Sequence, residues 1–177
     1  ELYMQWACTQ PVSLHRCSGL AARAALALRW LMTRRGPGAT CHFEAGGFIR
    51  SRAGVAEPDL QFHFLPAAVN YDGSAAAGGH GFQAHVGPMR PKSRGRLALR
   101  SGDPRQAPSI LFNYNLAADD IATLRDGVRL TREIVAQPAF DQLRGPAISP
   151  APGSGDDDAS IDAFVRQRAE SAYHPVG

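Results

Sequence analysis

The chain has 177 residues, 44% of them hydrophobic and 20% charged, with a net charge of +3 and a pI near 9.0; these are the proportions of one soluble globular domain with a real core. Its basic residues are scattered, densest at Arg34-Arg35 and between Arg90 and Arg100, so there is no long basic face with interleaved aromatics and no nucleic-acid partner is expected. The three cysteines, Cys8, Cys17 and Cys41, are odd in number and lack CxxC spacing, which argues for reduced thiols in a cytoplasmic setting rather than a disulfide framework.

Residues 2–7 alternate, with Leu2, Met4 and Trp6 on one side and Tyr3 and Gln5 on the other, and read as a strand ended by Gln10-Pro11. Residues 19–35 read as a helix, with Leu20, Ala24, Leu28 and Leu31 at helical spacing. Arg34-Arg35 suit its C-terminal end, and Gly36-Pro37-Gly38 stops it. The apolar run 20–32 contains Arg23 and Arg29 and is too short to span a bilayer. Residues 40–50 are a strand candidate whose paired Gly46-Gly47 weakens it unless something must approach the backbone closely.

Residues 59–65 alternate well, with Leu60, Phe62 and Phe64 facing one way and Gln61 and His63 the other. A glycine-, alanine- and serine-rich loop follows over 70–79, then a strand over 81–89. Residues 96–100 and 109–114 read as two strands paired antiparallel across a loop of six to eight residues, with Gly102-Asp103-Pro104 as the turn signal. Asp119 or Asp120 is placed to cap a helix running to about residue 136. Its inward stripe is Ile121, Leu124, Val128, Thr131 and Val135, widened by Leu130 and Ile134. Residues 146–155 read as a loop, and Asp156-Asp157-Asp158 starts a last helix over 159–171 that buries Ile161, Phe164 and Val165. Several strands followed by two helices give an α+β fold, a largely antiparallel sheet with helices packed on one side.

Two stretches are more specific. Tyr173-His174-Pro175-Val176-Gly177 resembles the start of a signature near the C-terminus of the glucose–methanol–choline (GMC) oxidoreductases. Phe43-Glu44-Ala45-Gly46-Gly47-Phe48-Ile49-Arg50-Ser51 resembles the choline-oxidising members of that family. Further blocks follow in the family's order: Gln10 to Leu14, Gln61 to Pro66, His80 to Gln83, Ser93 to Arg96, Ser109 to Tyr114 and Arg129 to Ile134. Residues 16–39 and 147–158 match poorly. The resemblance implies that residues 1–177 are the substrate-binding, C-terminal domain of an FAD-dependent alcohol oxidoreductase, truncated at both ends. The missing partner is the FAD-binding domain, because Gly78-Gly79-His80-Gly81 lacks the spacing and the strand–turn–helix context of a dinucleotide fingerprint. This stretch alone is expected to be colourless and inactive.

Oxidising an alcohol removes a hydroxyl proton and a hydride. An imidazole can take the proton near neutral pH, whereas the hydride needs a cofactor. The resemblance makes His174 the catalytic base beside the flavin; a surface histidine at a frayed chain end is the competing reading. It makes Glu44 the carboxylate that holds the quaternary ammonium of choline, a group that donates no hydrogen bond and is bound by charge and aromatic faces. The competing role is an ion pair with Arg50. A partly buried glutamate in an apolar strand is costly unless it meets a cation; the residues alone favour Arg50, and the resemblance favours the ammonium. Tyr173 is expected either to line the substrate site or to pack in the core. His42, His63 and His85 suit core or pocket-lining roles, since no motif sets up a metal site. There is no GxSxG elbow for hydrolase chemistry.

The expected substrate is choline or another small alcohol, with betaine aldehyde as the product from choline. The alternatives are another alcohol-oxidising member of the family and a non-catalytic truncated piece. An exposed apolar face would favour a homo-oligomer. Dehydrogenase-type members are often peripherally membrane-associated, although no residue here shows it.

Overall fold

A computed structural model of the chain describes residues 1–17, 19–70, 74 and 79–173. Its centre is a five-stranded sheet of β1 (Leu2–Cys8), β2 (Ala45–Ile49), β3 (Leu60–Leu65), β4 (Gly81–Pro88) and β7 (Arg144–Ser149), in the order β2-β3-β4-β1-β7. Every neighbouring pair in it is antiparallel. The alternation of β1 is used as expected. Leu2, Met4 and Trp6 lie opposite Val86, Ala84 and Phe82, and Val86 and Ala84 lie opposite Phe62 and Phe64. This makes one continuous apolar face.

Two helices cover that face. α2 (Ala118–Val135) supplies Ile121, Leu124 and Val128, and α3 (Asp158–Arg168) supplies Ile161 and Val165, all fully or nearly fully buried against the strands. Burial of each such side chain stabilises by about 2 kcal/mol. The α2 stripe is the expected one, including Thr131 and Val135. Ile134 is exposed instead of widening it, because thirteen residues from Ile121 at roughly 100° each carry it to the far side of the helix. Neither Asp119 nor Asp120 caps α2. The cap position is Ala117, without a side-chain bond, and Asp120 is committed elsewhere. α3 is capped as anticipated from the aspartate run: Asp157 accepts from the Ser160 nitrogen at 3.0 Å. The helix ends at Arg168, short of residue 171, because Ala169 turns extended.

Three further differences come from context that local pattern does not carry. The stretch read as a loop overlaps β7 (Arg144–Ser149), an edge strand beside β1 with two breaks in register. Pro146 is tolerated there because an edge leaves one side of the strand unpaired. β5 (Arg96–Ala98) and β6 (Ser109–Leu111) pair antiparallel as expected, but form their own two-stranded sheet across a longer loop, 99–108. α1 (Leu20–Thr33) forms where the spacing puts it and ends on Arg34 in the left-handed region, with the Arg34 guanidinium 4.1 Å from the Trp30 ring centre. None of its residues is buried, and Leu20 is 86% exposed.

Candidate functional site

The second face of the sheet is polar. Tyr3 and Gln5 of β1 share it with Gln83 and His85 of β4 and with Gln61 and His63 of β3, because these positions alternate with the core residues. Gln5, Gln83 and His85 are each at least 95% buried, so their polar atoms need partners. The Gln5 amide nitrogen donates to the Val69 carbonyl at 2.8 Å and to Gln83 Oε1 at 3.0 Å. The Val69 backbone nitrogen donates to the same Gln83 oxygen at 2.9 Å. Gln83 Nε2 lies 2.6 Å from His85 Nε2, and His85 Nδ1 lies 3.2 Å from Glu1 Oε1. Burial works to raise the Glu1 carboxyl, but the hydrogen bond with His85 is the chief opposing effect, and the group is held below its usual range.

Aromatic rings complete the face. Tyr3 lies 5.4 Å from the His85 ring centre. Phe43 stands edge-on to His63 at 5.8 Å and to His85 at 5.5 Å. Glu44 follows Phe43 directly. Its nitrogen donates to the Phe64 carbonyl at 3.1 Å, and the Thr40 hydroxyl donates to its carboxylate at 2.9 Å. The strand of this segment begins only at Ala45, and His42 sits at φ 71°, so residues 41–44 approach the sheet as a bent connection. Glu44 is therefore exposed rather than partly buried in a strand. It does not pair with Arg50, whose guanidinium donates to the Val55 and Ala56 carbonyls at 2.8 and 3.0 Å. The result is a carboxylate carried at the surface, next in sequence to an aromatic residue; charge and aromatic faces are what a quaternary cation needs.

The C-terminal segment is tied to the same end of the sheet. The Glu1 nitrogen donates to the Glu170 carbonyl and the Glu170 nitrogen to the Glu1 carbonyl, both at 2.8 Å. Tyr114 donates to the Ser171 hydroxyl at 3.2 Å. Tyr173 has φ 63° and is 79% exposed, so it is not a core residue. His174 lies outside the described residues. The structure thus joins Glu1, Phe43, His63 and His85 on one face with Glu44 next in sequence, and it roots the segment that leads to His174 at Glu1. Sequence reasoning missed Glu1, Gln5, Gln83 and Phe43; the polar side of two alternating strands, Tyr3-x-Gln5 and Gln83-x-His85, was the signal that could have found Gln5 and Gln83.

Among the described residues, no three His, Cys, Asp or Glu side chains converge as a metal site would require, and no helix is long and apolar enough to cross a membrane. Cys8, Cys17 and Cys41 are free thiols.

Residues 91–177 match the family model described as GMC oxidoreductase. An oxygen-dependent choline dehydrogenase of Ectopseudomonas mendocina (strain ymp) is 55% identical over 99% of this chain. The C-terminal part of the chain thus resembles the GMC oxidoreductases. A second oxygen-dependent choline dehydrogenase, from Brucella ovis, is 54% identical over 100% of the chain. The chain spans only 31% and 32% of these two proteins. An R554K variant of formate oxidase from Aspergillus oryzae RIB40, studied for FAD modification, superposes with a TM-score of 0.83 at 20% identity, covering 98% of this chain and 35% of that one. That likeness carries the fold alone. The α+β architecture read from the sequence is therefore the observed one, and the fold is shared with that oxidase.

Proposed function

We propose that residues 1–177 form the substrate-binding domain of a choline dehydrogenase that oxidises choline to betaine aldehyde. The observation that carries this reading is identity of 55% and 54%, along essentially the whole chain, to proteins named oxygen-dependent choline dehydrogenase. The surface beside Phe43 supports it. A trimethylammonium group needs a negative charge without a hydrogen-bond donor, and an aromatic neighbour. Glu44 takes the first role and Phe43 supplies the second. Tyr173, exposed just before the chain's final residues, is a further candidate for the substrate wall. His174 is the proposed proton-handling group, suited to take the hydroxyl proton as the alcohol is oxidised.

FAD is the cofactor this reading requires, as the hydride acceptor no side chain can replace. The described residues do not fit it by themselves. Their strand pairs are antiparallel, and none forms the strand–glycine turn–helix that cradles a pyrophosphate. Gly79-His80-Gly81 runs straight into β4. The cofactor thus belongs to a part of the enzyme outside these residues.

The deciding experiment is Glu44→Gln in the full-length enzyme containing this chain. The substitution keeps the shape and removes the charge, so KM for choline should rise about tenfold or more, as expected for losing a charge-assisted contact. An unchanged KM for choline would sink the assignment of Glu44 to the cation.

A further inference from the structure

We propose that Glu1 and His85 are positioning residues that hold the Phe43–Glu44 corner where the substrate's ammonium group rests. The inference builds on the assignment of Glu44 to that cation and adds two residues to it. Hydrogen-bond direction around His85 is fixed from one end of the network. The Val69 backbone nitrogen can only donate, so the Gln83 atom 2.9 Å from it is the carbonyl oxygen. The Gln83 amide nitrogen therefore faces His85 and donates to Nε2 at 2.6 Å. With Nε2 accepting, Nδ1 carries the hydrogen and donates to Glu1 Oε1 at 3.2 Å. The imidazole is held at both nitrogens and cannot flip without losing both bonds.

Phe43 depends on that ring. It sits in a bent connection outside the strand, after His42 at φ 71°, and has no ladder bonds of its own to fix it. Its edge contacts are His63 at 5.8 Å and His85 at 5.5 Å. Glu1 lies at the rim of the network, where its carboxylate also feels the His63 charge. A turn of the His85 ring removes one of the two ring contacts of Phe43 and loosens the connection that carries Glu44, whose own anchors are the Phe64 carbonyl and the Thr40 hydroxyl. Charge recognition of the substrate is thereby set by a carboxylate and an imidazole that need not touch it.

The test uses the full-length enzyme and two alcohols: choline, and 3,3-dimethylbutan-1-ol, in which carbon replaces nitrogen and the charge is gone. The quantity read is the ratio of KM for the neutral alcohol to KM for choline. Glu1→Ala and His85→Ala should each lower this ratio about tenfold, the loss expected from misplacing one charged contact. Glu1→Gln, which still accepts from Nδ1, should restore most of it. A merely structural role would weaken both substrates together and leave the ratio unchanged; that result, or no effect at all, overturns the proposal. Should His85→Ala fail to accumulate, Glu1→Ala decides alone, because it leaves the buried ring in place. Glu44→Gln run in parallel separates the two claims. If it leaves the ratio intact, the cation assignment falls and the positioning role with it. If it collapses the ratio while Glu1→Ala does not, only the positioning role falls.

Discussion

Asp120 holds Ser93 and its neighbour by their backbone: its two carboxylate oxygens accept from the Ser93 nitrogen at 2.8 Å and the Lys92 nitrogen at 2.7 Å. The residue is 3% exposed, and the Ser93 hydroxyl accepts in turn from the Ala117 nitrogen at 3.0 Å, just before α2. One side chain thus pins the segment after β4 to the start of the helix. Asp120→Ala leaves two donors without their acceptor and should cost about 2–4 kcal/mol in denaturant unfolding. Burial works against the charged form, but the hydrogen bonds from Ser93 and Lys92 prevail and hold the carboxyl below its usual range. A depressed folded pKa contributes stability that is fully present above the unfolded value near 4 and is lost as pH falls through the folded value. Acid unfolding curves of the wild type should therefore fall more steeply below about pH 4 than those of Asp120→Asn.

Arg125 joins the two helices. Its Nε and Nη2 donate to the two Asp162 oxygens, each at 2.7 Å, and Nη1 donates to Asp158 at 2.7 Å. The fork matches the carboxylate in a way an ammonium cannot. Both partners are about a quarter exposed, so solvent screens the pair. A double-mutant cycle on Arg125 and Asp162 should give a coupling of roughly 1 kcal/mol that shrinks with added salt. Arg125→Lys should recover less than half of it.

Gly127 sits inside α2, where alanine would ordinarily favour the helix by about 1 kcal/mol. A β-carbon there would lie 2.9 Å from Val86 Cγ2 and 3.5 Å from Leu60 Cδ2. Val86 is fully buried and stiff at χ1. The clash should win, and Gly127→Ala should lower stability by about 1–2 kcal/mol. Pairing it with Val86→Ala should cost less than the sum of the two single changes.

Leucines of similar sequence context should behave oppositely. Leu31→Ala on α1 should change stability by less than about 0.5 kcal/mol, since that side chain is 59% exposed. Leu124→Ala on α2 should cost about 2–5 kcal/mol, because it empties a fully packed site. Thermal or denaturant midpoints of the two variants check both.

Period was the part of the fold that could be read from the chain. β1, β3 and α2 each repeat their apolar residues at the spacing their structure uses, and their core faces are visible in the sequence. The family blocks added Glu44 and His174 as candidates, which remain proposals. What stayed hidden depends on partners distant in sequence. Leu20 and Leu31 look like core residues by spacing alone, and only the absence of a packed neighbour among the described residues tells them apart from Leu124. β7 is a strand because β1 offers it an edge, not because Arg144–Ser149 alternates. Asp120 lies where a cap would, yet two backbone nitrogens some 27 residues upstream claim it. The burial of Gln5, Gln83 and His85 follows from a loop folding over them, which no pattern in β1 or β4 announces.

The two backbone bonds between Glu1 and Glu170 span 169 residues, nearly the whole chain. Closing a loop of that length has its full entropic cost before either bond forms, and contacts so far apart are made late in folding. The sheet and its two helices can assemble first, from nearer pairings. The segment that leads to Tyr173 and His174 is then seated in a final step against a surface already built. Folding therefore seats the segment that runs up to Tyr173 last, on a sheet whose strands are already paired.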